Sequence, residues 1–264
     1  MLVIAGSDSG GGAGIQADIK TVTALGGYAA TAITALTAQN TRGVFGVVGV
    51  DPGFVAEQIS VVLTDIGADA IKTGMLHSAE IVSAVAACLE ARARSIPLIV
   101  DPVMIAKGGS PLLSENARIA LVERLLPIAA LITPNAPEAE VLSGVKIDRV
   151  SDMERAADRL LAFGASAVLV KGAHLDGDLI VDLLRTADGE EARFEHPRQN
   201  TRSTHGTGCT LSSAIATGIG LGFTLRDAVK RAEQYLLEAI RTAPGFGSGY
   251  GPLNHGHPLG ARLN

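Results

Sequence analysis

Short apolar runs alternate with longer segments of helical periodicity along this chain. The runs Leu2–Ala5, Tyr28–Leu36, Phe45–Val50, Ala70–Lys72, Leu98–Asp101, Leu131–Thr133 and Ala167–Lys171 predict strands. Between them, apolar residues recurring once per helical turn predict helices over Gly14–Leu25, Pro52–Thr64, Ala79–Arg94, Glu115–Leu125, Pro137–Leu142, Asp152–Phe163, Thr207–Gly218 and Thr224–Arg241. Continuously apolar strands separated by helices imply a mostly parallel central sheet with helices on both faces, an α/β three-layer sandwich. Leu179–Leu184 and Ala192–Glu195, split by Ala187-Asp188-Gly189-Glu190, predict an antiparallel hairpin at one edge. Residues 1–264 contain no linker, low-complexity tract or internal repeat, and read as one domain.

Ligands of such sheets bind beyond the carboxyl ends of the strands. Polar and glycine-rich segments recur there: Gly6–Gly14, Thr37–Arg42, Gly74–His77, Asp101–Gly109, Thr133–Glu138, Lys171–His174 and His205–Cys209. Seven such segments on one edge argue for an active site better than any one alone.

Composition narrows the function by exclusion. A net charge of −5, no basic run and only 3% aromatic residues argue against a nucleic-acid surface. The apolar start Met1–Gly6 lacks a basic region and is not read as a signal peptide, and no stretch approaches the roughly 18 uninterrupted apolar residues of a membrane span. Cys88 and Cys209 lie far apart without metal-ligand partners at useful spacing, which fits a reduced, cytoplasmic setting. Cys88, amid Ala86-Ala87-Cys88-Leu89, reads as core.

Two segments carry candidate chemistry. Gly12-Ala13-Gly14-Ile15-Gln16-Ala17 matches the G-x-G-x-x-A dinucleotide fingerprint, but the acid that would hold the ribose is missing from Thr31–Thr34 and from Thr37-Ala38-Gln39. Without a Lys-Ser/Thr ending, Gly6–Gly14 is not a Walker-type loop either. It reads as a backbone-walled substrate pocket, with Asp18 one turn into the helix, or as a flexible turn. His205-Gly206-Thr207-Gly208-Cys209-Thr210 opens a small-residue helix, whose N–H groups and positive dipole end form an anion hole for a transferring phosphoryl group. Cys209 lies in the first turn, where its thiol pKa is expected to fall, and it suits a proton acceptor; a small packing residue is the plainer alternative. His255 and His257 have metal-like spacing but no third ligand, and His205 beside the anion hole is the histidine to watch.

Taken together and in order, Gly6-Ser7-Asp8, Gly14–Asp18, Ile33–Leu36 with Gln39-Asn40-Thr41, Gly74-Met75-Leu76, Asp101–Met104, Thr133-Pro134-Asn135 with Pro137-Glu138, and Thr204–Thr210 resemble the hydroxymethylpyrimidine/phosphomethylpyrimidine kinases of thiamine biosynthesis. The resemblance runs to Gly251-Pro252-Leu253-Asn254-His255. It implies a ribokinase-like fold, ATP with Mg2+, a homodimer, and successive phosphorylation of an aminopyrimidine alcohol and its monophosphate. It implies that Gly206, Thr207 and Gly208 form the anion hole and that Cys209 is the base, where most ribokinase relatives carry aspartate. Gln39 then reads the pyrimidine, and Gly6, Ala13, Asp18, Met75 and Val103 line its pocket. Asn135 and Glu138 organise magnesium through water in the family pattern, with Asp101 and Lys171 on the phosphate side. Asn135 and Glu138 also fit a helix cap, and Asp101 and Lys171 fit plain strand-end charges.

Two positions depart from the family pattern: Ala173 replaces a glycine in the Lys171–His174 segment, and Glu233 replaces a lysine, removing one contact at the nucleotide edge. Pyridoxal kinase shares fold and chemistry and is the nearest rival; a non-catalytic pyrimidine-binding regulator is the other.

Overall fold

The computed structural model describes residues 1–105, 109 and 112–260; of the segment 101–109, residues 106–108 lie outside the described ones. Nine strands form a single sheet: β1 (Leu2–Asp8), β2 (Ala30–Asn40), β3 (Gly43–Gly49), β4 (Ile71–Thr73), β5 (Leu98–Val100), β6 (Leu131–Ile132), β7 (Ala167–Val170), β8 (Leu179–Thr186) and β9 (Glu191–Pro197). Their order is β3-β2-β1-β4-β5-β6-β7-β8-β9. The six from β2 to β7 in that order pair in parallel, and β3, β8 and β9 join antiparallel.

The helices are α1 (Gly14–Ala24), α2 (Pro52–Asp65), α3 (Ala79–Arg92), α4 (Glu115–Ala120), α5 (Ala136–Ser143), α6 (Val150–Leu161), α7 (Thr207–Gly220) and α8 (Leu225–Arg241). Successive strand residues feed opposite faces, as the two-residue period of a strand requires. Leu2, Ile4, Ile71 and Val100 pack under α2 to α6, whereas Ile99, Leu131 and Leu169 meet α7 and α8. Val3 and Ala5 meet Ile15 of α1. Cys88 packs against the larger core and bonds weakly to the Ala56 carbonyl, as its apolar setting predicts.

Two segments differ from expectation. The segment 37–42 is not a loop, because β2 continues to Asn40 and turns into β3, giving a hairpin at the second edge of the sheet. Its register shifts between Ala38 and Gln39. The helix predicted over Glu115–Leu125 is regular only to Ala120, then widens into a π turn over Leu121–Leu125 and closes as a 3₁₀ turn over Leu126–Ile128. Pro127, which has no N–H to donate, ends the regular ladder there. Among the described residues, no helix is long and apolar enough to cross a membrane.

Candidate active site

A cavity of about 460 Å³ opens at the carboxyl ends of the parallel strands, a size suited to a small ligand. It is lined by Gly6, Ala13, Gln39, Met75, Val103, Asp101, Asn135, Glu138, Lys171, Gly206, Thr207, Gly208 and Cys209, all predicted from the sequence. Asp18 is the exception. Fully buried one layer below, it accepts from Lys72 Nζ at 3.0 Å through both oxygens and from Ser213 Oγ at 2.6 Å. Lys72, rather than Asp18, reaches the cavity. Burial opposes the Lys72 charge, but Asp18, Cys209 and Asp101 hold its pKa above the ordinary range.

One wall is built from β1, β2 and the glycine loop. The Asp8 carboxylate gathers that loop, accepting from the N–H groups of Gly10 at 2.7 Å, Gly12 at 3.0 Å and Ala13 at 2.8 Å. Its Oδ2 also lies 2.8 Å from His205 Nε2. Burial pushes the Asp8 pKa up, yet His205, Gln39 and the Ala13 N–H together hold it at about 2. Gln39 sits at the register shift of β2, a local kink that re-aims a side chain. Its Nε2 is 3.5 Å from His205 Nε2. Met75 is fixed through its carbonyl, which accepts from Thr34 Oγ1 at 2.6 Å.

The opposite end is the N-terminus of α7. Gly206 caps it at φ +83°, and a Cβ there would collide with the Gly12 carbonyl, so only glycine fits. No side chain caps this helix, which leaves its first N–H groups unclaimed by a capping side chain. A Cβ at Gly208 would lie 3.3 Å from Lys171 Nζ and 3.7 Å from Asp101 Oδ2, so both charges flank the helix start. Lys171 Nζ donates to Asp101 Oδ1 at 3.2 Å, and Asp101 Oδ2 is buried without a hydrogen-bond partner.

The thiol of Cys209 departs from expectation. Burial pushes its pKa up to about 12; Asp18 and Asp101 add to this, and Lys72 with a Gly14 backbone hydrogen bond only partly offsets it. The first turn of a helix does not lower this thiol, because desolvation and two carboxylates outweigh the helix end.

Asn135 and Glu138 form a complete capping box at the start of α5, each backbone N–H donating to the other side chain at 2.9 Å. Burial raises the Glu138 carboxyl to about 7, with Lys171 opposing and Asp101 adding. The two histidines near the end hold no joint site: His255 Nε2 bonds Thr210 Oγ1 at 2.9 Å, and His257 Nε2 lies 3.1 Å from the Tyr235 carbonyl. Position 233 also faces away from the cavity, toward Asp182 and His196.

Asp8, Lys72 and His174 line the cavity although none is among the predicted site residues, and so does His205, the histidine singled out beside the anion hole. Two signals were available in the sequence. An aspartate at a strand end before glycines is a loop organiser, and a lysine ending an apolar strand needs a buried partner, which Asp18 on an apolar helix face supplies.

An open, mostly parallel sheet whose carboxyl edge joins a glycine-opened helix N-terminus to a buried Lys–Asp pair defines a ribokinase-like small-molecule kinase. The chain belongs to the phosphomethylpyrimidine kinase family, whose profile matches residues 8–254. It is 54% identical over 257 residues to the thiamine biosynthesis bifunctional protein of Geobacter sulfurreducens, covering 97% of this chain and 52% of that protein. The chain thus spans about half the length of that relative. The crystal structure of phosphomethylpyrimidine kinase from Clostridium difficile superposes with a TM-score of 0.81 at 44% identity, over 90% of this chain and 98% of that one. An ADP complex of Bacillus subtilis pyridoxal kinase superposes with a TM-score of 0.88 at 34% identity, over 96% of each chain.

Proposed function

We propose that this chain transfers the γ-phosphoryl group of ATP to the hydroxymethyl oxygen of 4-amino-5-hydroxymethyl-2-methylpyrimidine, and then phosphorylates the monophosphate to the diphosphate for thiamine biosynthesis. One observation carries the reading: the wall formed by Gln39, Met75 and Val103 and the α7 N-terminus line the same cavity. A flat ring held against that wall brings its alcohol toward donors suited to a phosphoryl group.

In this mechanism the alcohol oxygen attacks the γ-phosphorus while the bond to the departing ADP oxygen breaks. Backbone N–H groups of residues 206–209 hold the equatorial oxygens, and Lys171 balances their charge. Gln39 offers the ring both a donor and an acceptor. Met75 and Val103 supply apolar faces. The proton of the alcohol passes to Cys209 Sγ. Because burial keeps the thiol protonated at neutral pH, the reacting fraction is small and grows with pH. Magnesium fits the donor set: Asp101 Oδ2 is a buried oxygen without a partner, and Glu138 lies beside it in the charge network. Glu138 and Asn135 would hold it through water, and bound there it neutralises charge on the phosphates.

The reading carries a single kinase domain over the chain, supported by its one continuous sheet. It also carries a cytoplasmic setting, supported by two free cysteines, and a homodimer. Exposed Leu36, Phe45 and Val48 on the β2–β3 edge supply an apolar surface for the latter.

The deciding measurement is the product profile with Mg-ATP and either the pyrimidine alcohol or pyridoxal. Monophosphate followed by diphosphate is expected from the pyrimidine, at a higher kcat/KM than for pyridoxal. Absence of diphosphate, or a preference for pyridoxal, would overturn the reading.

A further inference from the structure

On the far side of β7 from the centre of the cavity, β8, β9 and α8 bring Asp182, His196 and Glu233 together. One ligand atom from each lies within 4.8 Å of the others. Asp182 and Glu233 keep only 4% and 5% exposure, and neither oxygen of Glu233 has a hydrogen-bond partner. Two carboxylates facing each other in a dry pocket need either a shared proton or a cation.

We propose that Asp182, His196 and Glu233 are the three protein ligands of a structural divalent-cation site of the zinc class. His196 Nε2 is 3.5 Å from Glu233 Oε2, close to the edge of about 3.4 Å that a tetrahedron has when its metal bonds are about 2.1 Å. His196 Nδ1 lies 3.4 Å from the Pro197 carbonyl. A proton on Nδ1 directed there leaves the Nε2 lone pair for a metal, the usual outer-contact arrangement. Asp182 Oδ1 is oriented in turn by the Gly172 N–H at 2.7 Å.

Charge and donor type select the ion. Two carboxylates and a neutral imidazole balance a divalent cation, and one nitrogen with two oxygens suits zinc better than magnesium, which favours an oxygen octahedron. The His196 side chain, 13% exposed, gives the ion a way in, and water supplies the fourth position. Such an ion would clamp the edge hairpin to α8. Through Asp182 and Gly172 it would also brace the segment 171–174, whose Lys171 and His174 line the active cavity.

The test is equilibrium dialysis of the full chain against Zn2+, with metal content, thermal melts and the visible spectrum of the Co2+ form. One ion per chain, a raised Tm and a Co2+ spectrum without thiolate charge transfer are expected. Glu233→Gln and His196→Gln should each weaken Zn2+ by more than the roughly 10- to 100-fold that loss of an outer contact costs. Glu233→Lys, which puts a tethered ammonium beside Asp182, should fold stably and bind no ion, separating ligand loss from misfolding. Substoichiometric Zn2+, unchanged affinity in the variants, or a thiolate band from Cys88 or Cys209 would each overturn the proposal, the first in favour of a shared proton.

Discussion

Cys209 stands in the first turn of α7, near Gly14 at the start of α1. A thiol near 12 is a strong base when ionised but is rarely ionised, so the first phosphorylation should quicken about tenfold per pH unit between pH 6 and 9 in single-turnover experiments. Cys209→Ala should flatten that slope and lower the rate by about 10² to 10⁴. The second phosphorylation should be far less affected, because a phosphate monoester already carries its charge near neutral pH. Equal losses in both half-reactions would make Cys209 a positioning group. Gln39 is a matter of recognition at the same scale. Leaving the ring's polar edge unpaired costs about 1–3 kcal/mol, so Gln39→Leu should weaken the pyrimidine roughly 5- to 100-fold by calorimetry. ATP affinity should hold; matched losses would mean that Gln39 supports the loop through His205 instead.

Among the elements, the start of α5 serves fold and chemistry with the same two side chains. Glu138 closes the capping box, yet burial lifts its pKa from 4.5 to about 7. The folded chain keeps a proton that the unfolded chain releases, so this group costs stability as pH rises from about 4.5 to about 7. Glu138→Gln keeps an acceptor for the Asn135 N–H without that charge. Its denaturation midpoint should gain on the wild type between pH 5 and pH 8, by a ceiling on the order of 3 kcal/mol, while kinase activity falls and its magnesium requirement rises. Parallel stability curves would show that Glu138 carries no buried charge.

The helices and parallel strands were legible because period and burial coincide in them, as in α6 and α8. The β2–β3 hairpin was not. Its second strand was read over Phe45–Val50, but it exposes Phe45 and Val48 and carries glycines at both ends, so its alternation does not show the antiparallel pairing with β2. Asp18 was misplaced for a related reason: a polar residue on an apolar helix face looks functional until its buried partner, Lys72, is brought in from β4 by the fold.

At the scale of the whole molecule, both edges of the sheet end in antiparallel hairpins, and among the described residues the β2–β3 hairpin exposes more large apolar side chains than the β8–β9 hairpin, where Leu179 is exposed. Leu36, Phe45 and Val48 are 51%, 71% and 66% exposed on the β2–β3 edge. If that edge joins two copies, Phe45→Glu with Val48→Glu should shift sedimentation from dimer to monomer without unfolding the sheet; an unchanged dimer would move the interface elsewhere. The same edge has another consequence. Phosphoryl transfer is assigned to the rigid centre, where α7 meets the parallel strands, whereas the proposed ring reader Gln39 stands at a kink in a border strand. Substitutions along that border can therefore alter which alcohol is accepted while the transfer apparatus stays intact, so that specificity and chemistry can change independently in one chain.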